Sequence, residues 1–265
     1  MPYQLMSEIR AFRVPEGAVA LWWLGQMGYI FKSPQDTLAG VDLYLTDSCA
    51  ALSSELDLKR RVPVLIEPEE LEVDVFACTH NHQDHTDPET IRRLRIKDSA
   101  LFAGPPPSGA VFRAEGIAED RIVMAWPDCE IRCRDLVIRG AYAVPTDDTD
   151  LNHLGYVFQY GDGPKIYLTG DTDWSERLSS AAKHAPEVMI ACINTGFNNL
   201  SHWEAAELAA RLKPKVAIPC HYDLFADNAA DPRQFRAALL ARAPGVRYVE
   251  LEHGQAWVFG PGTAG

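Results

Sequence analysis

Four side chains of metal-binding type lie within six residues of one another. They are His80, His82, Asp84 and His85, and they follow the apolar run 73–79. Four such side chains cannot all face one way on a regular strand or helix. A loop that leaves a buried strand can instead turn them towards two neighbouring points. Because imidazole and carboxylate groups hold Zn, Mn and Fe in proteins, this spacing predicts a metal site for two ions.

Three further candidate ligands lie at the ends of predicted strands. His153 precedes the apolar run 154–160, Asp171 follows the run 165–169, and His221 follows the run 216–219. Functional side chains concentrate at such strand-to-loop junctions because a rigid scaffold holds them there. Each residue alone is equally compatible with a structural role. Together with the cluster they supply seven ligands, which is enough for two metals with three or four protein ligands each.

Several weaker candidates lie near these ligands along the chain. Gln26 lies in a predicted turn between two strands and could contact a substrate. Tyr222 could donate a hydrogen bond to an oxyanion or simply fill the rim of the site. His202 begins a predicted helix whose free amides could bind an anion, although simple capping is favoured. We expect a solvated loop, rather than further ligands, from the acidic cluster of Asp147, Asp148 and Asp150.

Composition excludes several classes of protein. The chain has 265 residues, of which 47% are hydrophobic and 23% charged, as in an ordinary globular protein. Its net charge of −12 argues against nucleic-acid binding. No apolar stretch approaches the roughly 20 residues of a membrane span, and residues 1–13 do not resemble a secretory signal. We therefore expect a cytoplasmic protein with no membrane partner, and we expect its six cysteines to be reduced.

The hydrophobic pattern predicts strands in both halves of the chain and helices chiefly in the second half. Predicted strands cover 18–24, 27–32, 38–45, 73–79, 121–125, 136–144, 154–160, 165–169, 188–193, 216–219, 246–251 and 256–259. Capping residues and apolar spacing predict helices over 86–94, 175–183, 201–212 and 232–242. Such an order suggests two sheets with helices outside them, in a single domain over residues 1–265.

In this order the candidate ligands resemble the signature of the metallo-β-lactamase superfamily. The matching positions are His80-x-His82-x-Asp84-His85, His153, Gly170-Asp171-Thr172 and His221, and the segments 22–28 and 212–222 are similar to the branch that contains L-ascorbate-6-phosphate lactonase. The resemblance implies a four-layer αββα sandwich of two mixed sheets with outer helices. The metals would lie at one edge, between the sheets.

The resemblance also implies a role for each ligand. His80, His82 and His153 would hold the first metal, Asp84, His85 and His221 the second, and Asp171 would bridge both. Asp42 would support a ligating histidine from outside the metal shell. The lactonase need not carry a histidine at position 153, so this chain departs from that relative there. Mn is expected from the resemblance and Zn from His153, with Fe a third option.

The function implied is that of a binuclear metal-dependent hydrolase. A hydroxide between two dications about 3.5–4 Å apart would attack the carbonyl of a lactone. Asp84 could shuttle a proton, although we expect it to act mainly as a ligand. The resemblance implies a sugar-acid lactone or its phosphate as substrate, so we expect an anionic small molecule. It also suggests a homo-oligomer.

Three alternatives remain at this point. The same two metals could cleave a small or cyclic phosphodiester, which the acidic chain does not exclude. A di-iron redox protein is disfavoured because His82 stands where such proteins usually have a carboxylate and because no flavin domain is present. A metal-bound module without catalysis is disfavoured by the intact set of seven ligands.

Overall fold

The computed structural model describes residues 4–262 and contains two seven-stranded sheets. The strands of the first sheet, numbered along the chain, are β1 (Val19–Gly25), β2 (Gly28–Lys32), β3 (Leu38–Val41), β4 (Val75–Ala77), β5 (Leu101–Gly104), β6 (Ile122–Met124) and β14 (Ala256–Phe259). Their order is β14-β1-β2-β3-β4-β5-β6. Strand pairs from β14 to β3 are antiparallel and those from β3 to β6 are parallel, so the sheet is mixed.

The second sheet is also mixed. Its strands are β7 (Glu130–Cys133), β8 (Leu136–Tyr142), β9 (Leu154–Tyr160), β10 (Lys165–Leu168), β11 (Val188–Cys192), β12 (Val216–Cys220) and β13 (Arg247–Tyr248). They are arranged in the order β13-β12-β11-β10-β9-β8-β7. The strands from β10 to β13 are parallel, and their carboxyl ends meet at one edge of the sandwich.

Five α-helices and several 3-10 segments connect these strands. The α-helices are α1 (Leu5–Ala11), α2 (Pro88–Arg93), α3 (Pro106–Ala114), α4 (His202–Leu212) and α5 (Pro232–Arg242). The longest 3-10 segment is Glu176–His184. Side-chain caps begin three of these helices, since Asp87 caps α2, Asp231 caps α5, and Ser201 forms a capping box with Glu204 at α4. Within residues 4–262, no helix is both long and apolar enough to cross a membrane.

A core rich in aromatic side chains lies between the two sheets. Phe31 of the first sheet stacks on Phe158 of the second with ring centroids 4.6 Å apart. Helices α1, α2 and α3 cover the outer face of the first sheet through a second core, which contains Ile9, Ile91 and Phe112. Helices α4 and α5 pack on the other side of the second sheet. The predicted four-layer αββα architecture is therefore confirmed.

Several predicted elements differ from those observed. Helices α1 and α3 and strand β7 were not predicted. Helix α3 begins inside the proline run because prolines are tolerated in the first helical turn, where the missing N–H would have no partner. The strand predicted over 38–45 ends at Val41, because Asp42 adopts a left-handed backbone with φ of 46°. The strand predicted over 246–251 is only Arg247–Tyr248.

Candidate metal centre

The histidine-rich segment is a loop between strand β4 and helix α2. It folds back on itself, since the His85 amide donates to the His82 carbonyl (3.0 Å) and the Thr86 hydroxyl to the His80 carbonyl (2.6 Å). The Asn81 amide donates to the Asp150 carboxylate at 2.8 Å. These bonds hold the loop at the sheet edge, with its ligand side chains directed towards the carboxyl ends of the second sheet.

The structure brings all seven predicted ligands together in three overlapping groups. Within each group the ligand atoms lie within 4.8 Å of one another, and the groups are His80, His82 and His153; His80, His85 and Asp171; and Asp84, His85 and His221. The first sheet supplies the loop ligands, and the second supplies His153, Asp171 and His221. The centre therefore lies across the edge of the sandwich, between the two sheets.

Asp171 lies between the other ligands. Its Oδ1 atom is 3.6 Å from His85 Nε2 and 3.3 Å from His221 Nε2. Asp171 also belongs to one of the three candidate groups together with His80. The His85 and His221 Nε2 atoms are 3.2 Å apart, with Asp84 Oδ2 at 3.7 and 3.4 Å from them. This is the arrangement expected if one carboxylate is shared by two metal positions.

Unpartnered buried atoms provide a test of whether metals fit here. His153 Nε2 and Asp171 Oδ1 are buried and have no hydrogen-bond partner. Buried polar atoms are nearly always paired, and each exception needs an explanation. A cation would satisfy both atoms. The donor set of five imidazoles and two carboxylates also suits divalent transition metals, so the residues fit the group that the sequence predicts.

Asp42 fixes the orientation of two histidines. Its Oδ2 accepts hydrogen bonds from His85 Nδ1 (2.9 Å) and the Thr79 hydroxyl (2.6 Å), and its Oδ1 accepts from the Thr79 amide (2.7 Å). Because the Thr79 hydroxyl donates to Asp42, it accepts from His80 Nδ1, 3.1 Å away. Both rings then carry their proton on Nδ1, which leaves the Nε2 lone pairs free for metal.

Hydrogen bonds from outside the ligand set also orient His153 and Asp171. His153 Nδ1 donates to the Asp171 carbonyl at 3.0 Å, which leaves its Nε2 lone pair free. Asn199 Nδ2 donates to Asp171 Oδ2 at 2.8 Å, so Oδ1 is the oxygen that faces the other ligands. Sequence reasoning missed Asn199. The pair Asn198-Asn199 before the capping box was visible, but nothing in the spacing indicates contact with a residue 28 positions earlier.

The backbone around the second metal position is conformationally unusual. Gln26, Asp42 and His221 adopt left-handed conformations, with φ of 49°, 46° and 60°. Such conformations cost about 1–3 kcal/mol for non-glycine residues and cluster at functional sites. Gly170, just before Asp171, has φ of 63°, and a Cβ there would lie 2.3 Å from the Leu154 carbonyl oxygen. Only glycine fits at that turn.

Charges within the centre suit metal binding. Burial raises the pKa values of Asp84 and Asp171, but nearby histidines lower them more, so both pKa values lie below their usual range and both groups are ionised. Burial lowers the pKa of His80 well below 6.5, so this ring is neutral. Burial also lowers the pKa of His85, but the carboxylates of Asp84, Asp171 and Asp42 raise it more, to well above 6.5, so this ring must release a proton to bind a metal. Neutral imidazole and ionised carboxylate are the forms that bind metals.

Gln26, Tyr222 and His202 lie outside the lining of the cavity beside the centre. Gln26 is buried and its Nε2 donates to Asp84 Oδ2 at 2.8 Å, so it positions a ligand. The Tyr222 ring packs against Trp23 with centroids 5.0 Å apart. His202 is the first residue of α4, beside Trp203. Among the described residues that line the cavity at the centre, none of these three occurs.

The acidic loop differs from the solvated cluster that we expected. Asp150 is only 3% exposed, and it accepts hydrogen bonds from the Asn81 and Asn152 amides, each at 2.8 Å. It therefore holds the ligand loop in place. Asp147 is exposed, with Oδ2 3.3 Å from His82 Nε2. Asp148 is exposed and belongs to none of the candidate metal groups found in residues 4–262.

A cavity of about 390 Å³ opens beside the ligands. Asp84, Asp171, His82 and His221 form part of its lining. Its volume falls within the range of small-molecule sites. A substrate in this cavity would therefore lie directly against both predicted metal positions.

Comparisons with known proteins identify the family of the chain. Residues 44–222 match the family described as the beta-lactamase superfamily domain. The probable L-ascorbate-6-phosphate lactonase of Salmonella heidelberg (strain SL476) is 24% identical in an alignment that covers 88% of this chain and 77% of that protein.

Two solved structures share the fold. The metallo hydrolase Igni18 from Ignicoccus hospitalis has a TM-score of 0.71 at 20% identity, covering 91% of this chain and 98% of its own. An isothiocyanate hydrolase from Delia radicum gut bacteria has a TM-score of 0.74 at 18% identity, covering 91% and 99%. The chain thus belongs to the metallo-β-lactamase superfamily, and it is similar to proteins named as probable L-ascorbate-6-phosphate lactonases.

Proposed function

We propose that the protein is a two-metal hydrolase that opens lactones. The observation that carries this proposal is the set of seven ligands in three overlapping groups, with Asp171 between them, beside a cavity of small-molecule size. The relatives named as probable lactonases support the choice of a lactone. These relatives cover most of this chain, but at low identity. The choice of a lactone as substrate therefore rests on similarity, whereas the assignment of the metal centre rests on the geometry of this chain.

The residues divide between two metal positions. His80, His82 and His153 would hold one ion, Asp84, His85 and His221 the other, and Asp171 would contact both. When bound, two such dications supply an activated water and polarise the carbonyl under attack. The donor set is compatible with Zn, Mn and Fe.

Outside the ligand set, the chain's own groups keep the centre in a reactive geometry. Asp42 and Thr79 fix the protonation of His80 and His85, and Asn199 turns one Asp171 oxygen inward. Such preorganisation matters because a misplaced catalytic group raises the barrier.

Asp84 is the candidate for moving a proton. It is ionised, lines the cavity, and accepts a hydrogen bond from Gln26 on the oxygen nearest the histidines. A carboxylate in this place can accept a proton from water and return it to the alcohol that leaves as the ring opens. The balanced reaction adds one water across the ester bond and yields a hydroxy acid.

A pH-stat assay tests the proposal. Protein reconstituted with Mn or Zn is offered a panel of lactones, including L-ascorbate 6-phosphate, and acid release is recorded. We expect acid release that disappears on chelation and in Asp171→Ala. Asp148→Asn is the matched control, because this acid is exposed and outside the metal groups, and it should keep full activity.

The contrary outcome has a defined meaning. If both metals are bound and no lactone releases acid, the lactonase proposal is wrong. Small and cyclic phosphodiesters are then the next substrates to test, because the same two metals can act on phosphorus.

A further inference from the structure

One side of the cavity is apolar. Five apolar side chains contribute to its lining, and we call them the apolar wall: Cys49, Leu52, Leu58, Phe197 and Phe225. Leu52 is 56% exposed, so much of its side chain is open for contact with a ligand in the cavity. The wall thus provides a surface on which an apolar group could be buried next to the ligands.

Packing holds part of this wall in place. Cys49 and Phe225 belong to a small buried cluster with Tyr44 and Leu224, separate from the two main cores, and Leu58 packs against it. The Tyr44 and Phe225 rings meet edge to face with centroids 5.9 Å apart, and the Tyr44 hydroxyl accepts a hydrogen bond from the Cys49 amide at 2.9 Å. The wall is thus anchored to the scaffold.

Cationic side chains are missing from the same lining. Among the described residues that line the cavity there is no lysine or arginine, whereas Asp147 adds a carboxylate at its edge. Arg60, on the loop that carries Leu52 and Leu58, is turned away, since it donates to the Tyr44 carbonyl (2.7 Å) and lies over the Tyr44 ring. A phosphate held away from the metals would find no charged partner in the cavity, which is unfavourable.

We propose that the substrate is an uncharged lactone with an apolar substituent of several carbons, bound against the apolar wall. This inference rests on the proposed lactonase function and narrows it. It departs from the anionic sugar lactone that the sequence resemblance implies, because the wall offers apolar burial and no lysine or arginine among the described lining residues could pair with a phosphate.

A matched set of six-membered lactones tests the inference. δ-Valerolactone carries no substituent, and δ-decalactone adds a pentyl chain. Glucono-δ-lactone carries hydroxyl groups instead, and its 6-phosphate also carries negative charge. We expect kcat/KM for δ-decalactone to exceed that for the other three by about tenfold or more, since each buried methylene adds binding energy. A preference for the phosphate, or no gain from the pentyl chain, would overturn the inference.

Variants of the wall show whether it is the source of the preference. Phe197→Ala and Leu52→Ala should each reduce the advantage of δ-decalactone over δ-valerolactone by several-fold, while δ-valerolactone itself changes little. Leu56→Ala is the matched control, because Leu56 is also exposed and lies on the same loop but outside the lining, and it should leave the ratio unchanged. An advantage that survives both wall variants would also contradict the inference.

Binding measurements separate this inference from the proposed function. The lactam 6-pentylpiperidin-2-one resembles δ-decalactone but resists hydrolysis, and its Kd is compared by calorimetry with that of piperidin-2-one on the metal-loaded protein. If the pentyl chain lowers Kd by about tenfold, the result supports binding against the apolar wall. This holds even if no lactone is hydrolysed, in which case only the proposed function fails. No gain overturns the inference even if lactones are hydrolysed.

Discussion

At the scale of single residues, Asp42 is the side chain on which both proposed metal positions depend. It bonds directly to His85 and, through Thr79, to His80. One buried carboxylate thereby determines which ring nitrogen carries the proton in His85 and in His80, which belong to different proposed metal positions. Its left-handed backbone, with φ of 46°, brings the carboxylate under the ligand loop.

Replacement of this carboxylate by an amide tests that dependence. Asp42→Asn keeps the shape and tolerates the left-handed conformation, but it cannot accept hydrogen bonds at both former oxygens. We expect metal affinity to fall about 10–100-fold, as measured by competition with a chelator. Unchanged affinity would show that Asp42 does not orient the ligands, and Asp148→Asn should behave as the parent protein.

The seven ligands could be predicted because their residue types and spacing are rare and lie at strand ends. Asn199 and the buried Asp150 could not, since their roles depend on contacts with Asp171 and Asn81, which are distant in the chain. The contact of Gln26 with Asp84 could not be predicted either, because a left-handed turn sets the direction of the Gln26 side chain.

At the scale of elements, helix α1 depends on a buried lysine. Lys32 is 1% exposed, and its ammonium donates to the Ile9, Arg10 and Phe12 carbonyls at 2.9, 2.6 and 2.9 Å. These carbonyls lie at the end of the helix, where intrahelical partners run out, and that of Ile9 also accepts a bond from the Phe12 amide at 3.3 Å. The sequence gives little sign of this helix, because its stability comes from a strand residue 20 or more positions away.

Loss of the ammonium should therefore destabilise the protein. Lys32→Met keeps the aliphatic stem but leaves the helix carbonyls unsatisfied, and we expect about 2–3 kcal/mol lower free energy of unfolding, measured with urea in excess chelator. Lys183→Met is the control, since Lys183 forms an exposed ion pair with Asp128 and should change stability by less than about 1 kcal/mol. Equal effects of the two substitutions would count against a capping role for Lys32.

The ion pair between Lys32 and Asp36 makes the stability of the folded protein depend on pH. Lys32 lies 2.9 Å from the Asp36 carboxylate and, by hydrogen bonding to it, lowers the pKa of that half-exposed carboxyl group. Because the pKa of Asp36 is lowered in the folded state, its carboxylate stabilises the folded protein at pH values above the unfolded-state pKa of about 3.8. That stabilisation is lost as the pH falls through the lowered, folded-state pKa.

Asp36→Asn should thus lower the melting temperature at pH 5 and have a smaller effect at pH 3. The melting temperatures of the two metal-free proteins are compared across this range. A difference that stays constant or grows on acidification would show that the ion pair does not contribute in this way.

At the scale of the whole molecule, the metal centre joins the two sheets. The first sheet supplies the ligand loop and Asp42, and the second supplies His153, Asp171 and His221. Resemblance gave this architecture from the sequence. It did not give the cavity wall, because the wall combines loops around 49–58, 197 and 225 whose shapes depend on long-range packing.

Since the ligands come from both sheets, metal removal should lower the stability of the whole fold. A ligand that binds only the folded state, at 100 times its Kd, adds about 2.7 kcal/mol. Chelation should clearly lower the melting temperature of the parent protein, and added metal should restore it. Chelation should lower the melting temperature of His80→Ala much less, because this variant already lacks a residue shared by two of the candidate groups. An unchanged melting temperature on chelation would contradict a metal bound across the sheets.

The central claim is that this chain holds two metals that share Asp171. The most direct measurement is metal content per chain, by mass spectrometry of the elements, after reconstitution and removal of free metal. We predict two ions in the parent protein and one or fewer in Asp171→Ala. One ion or none in the parent protein, or two retained in Asp171→Ala, would contradict the account.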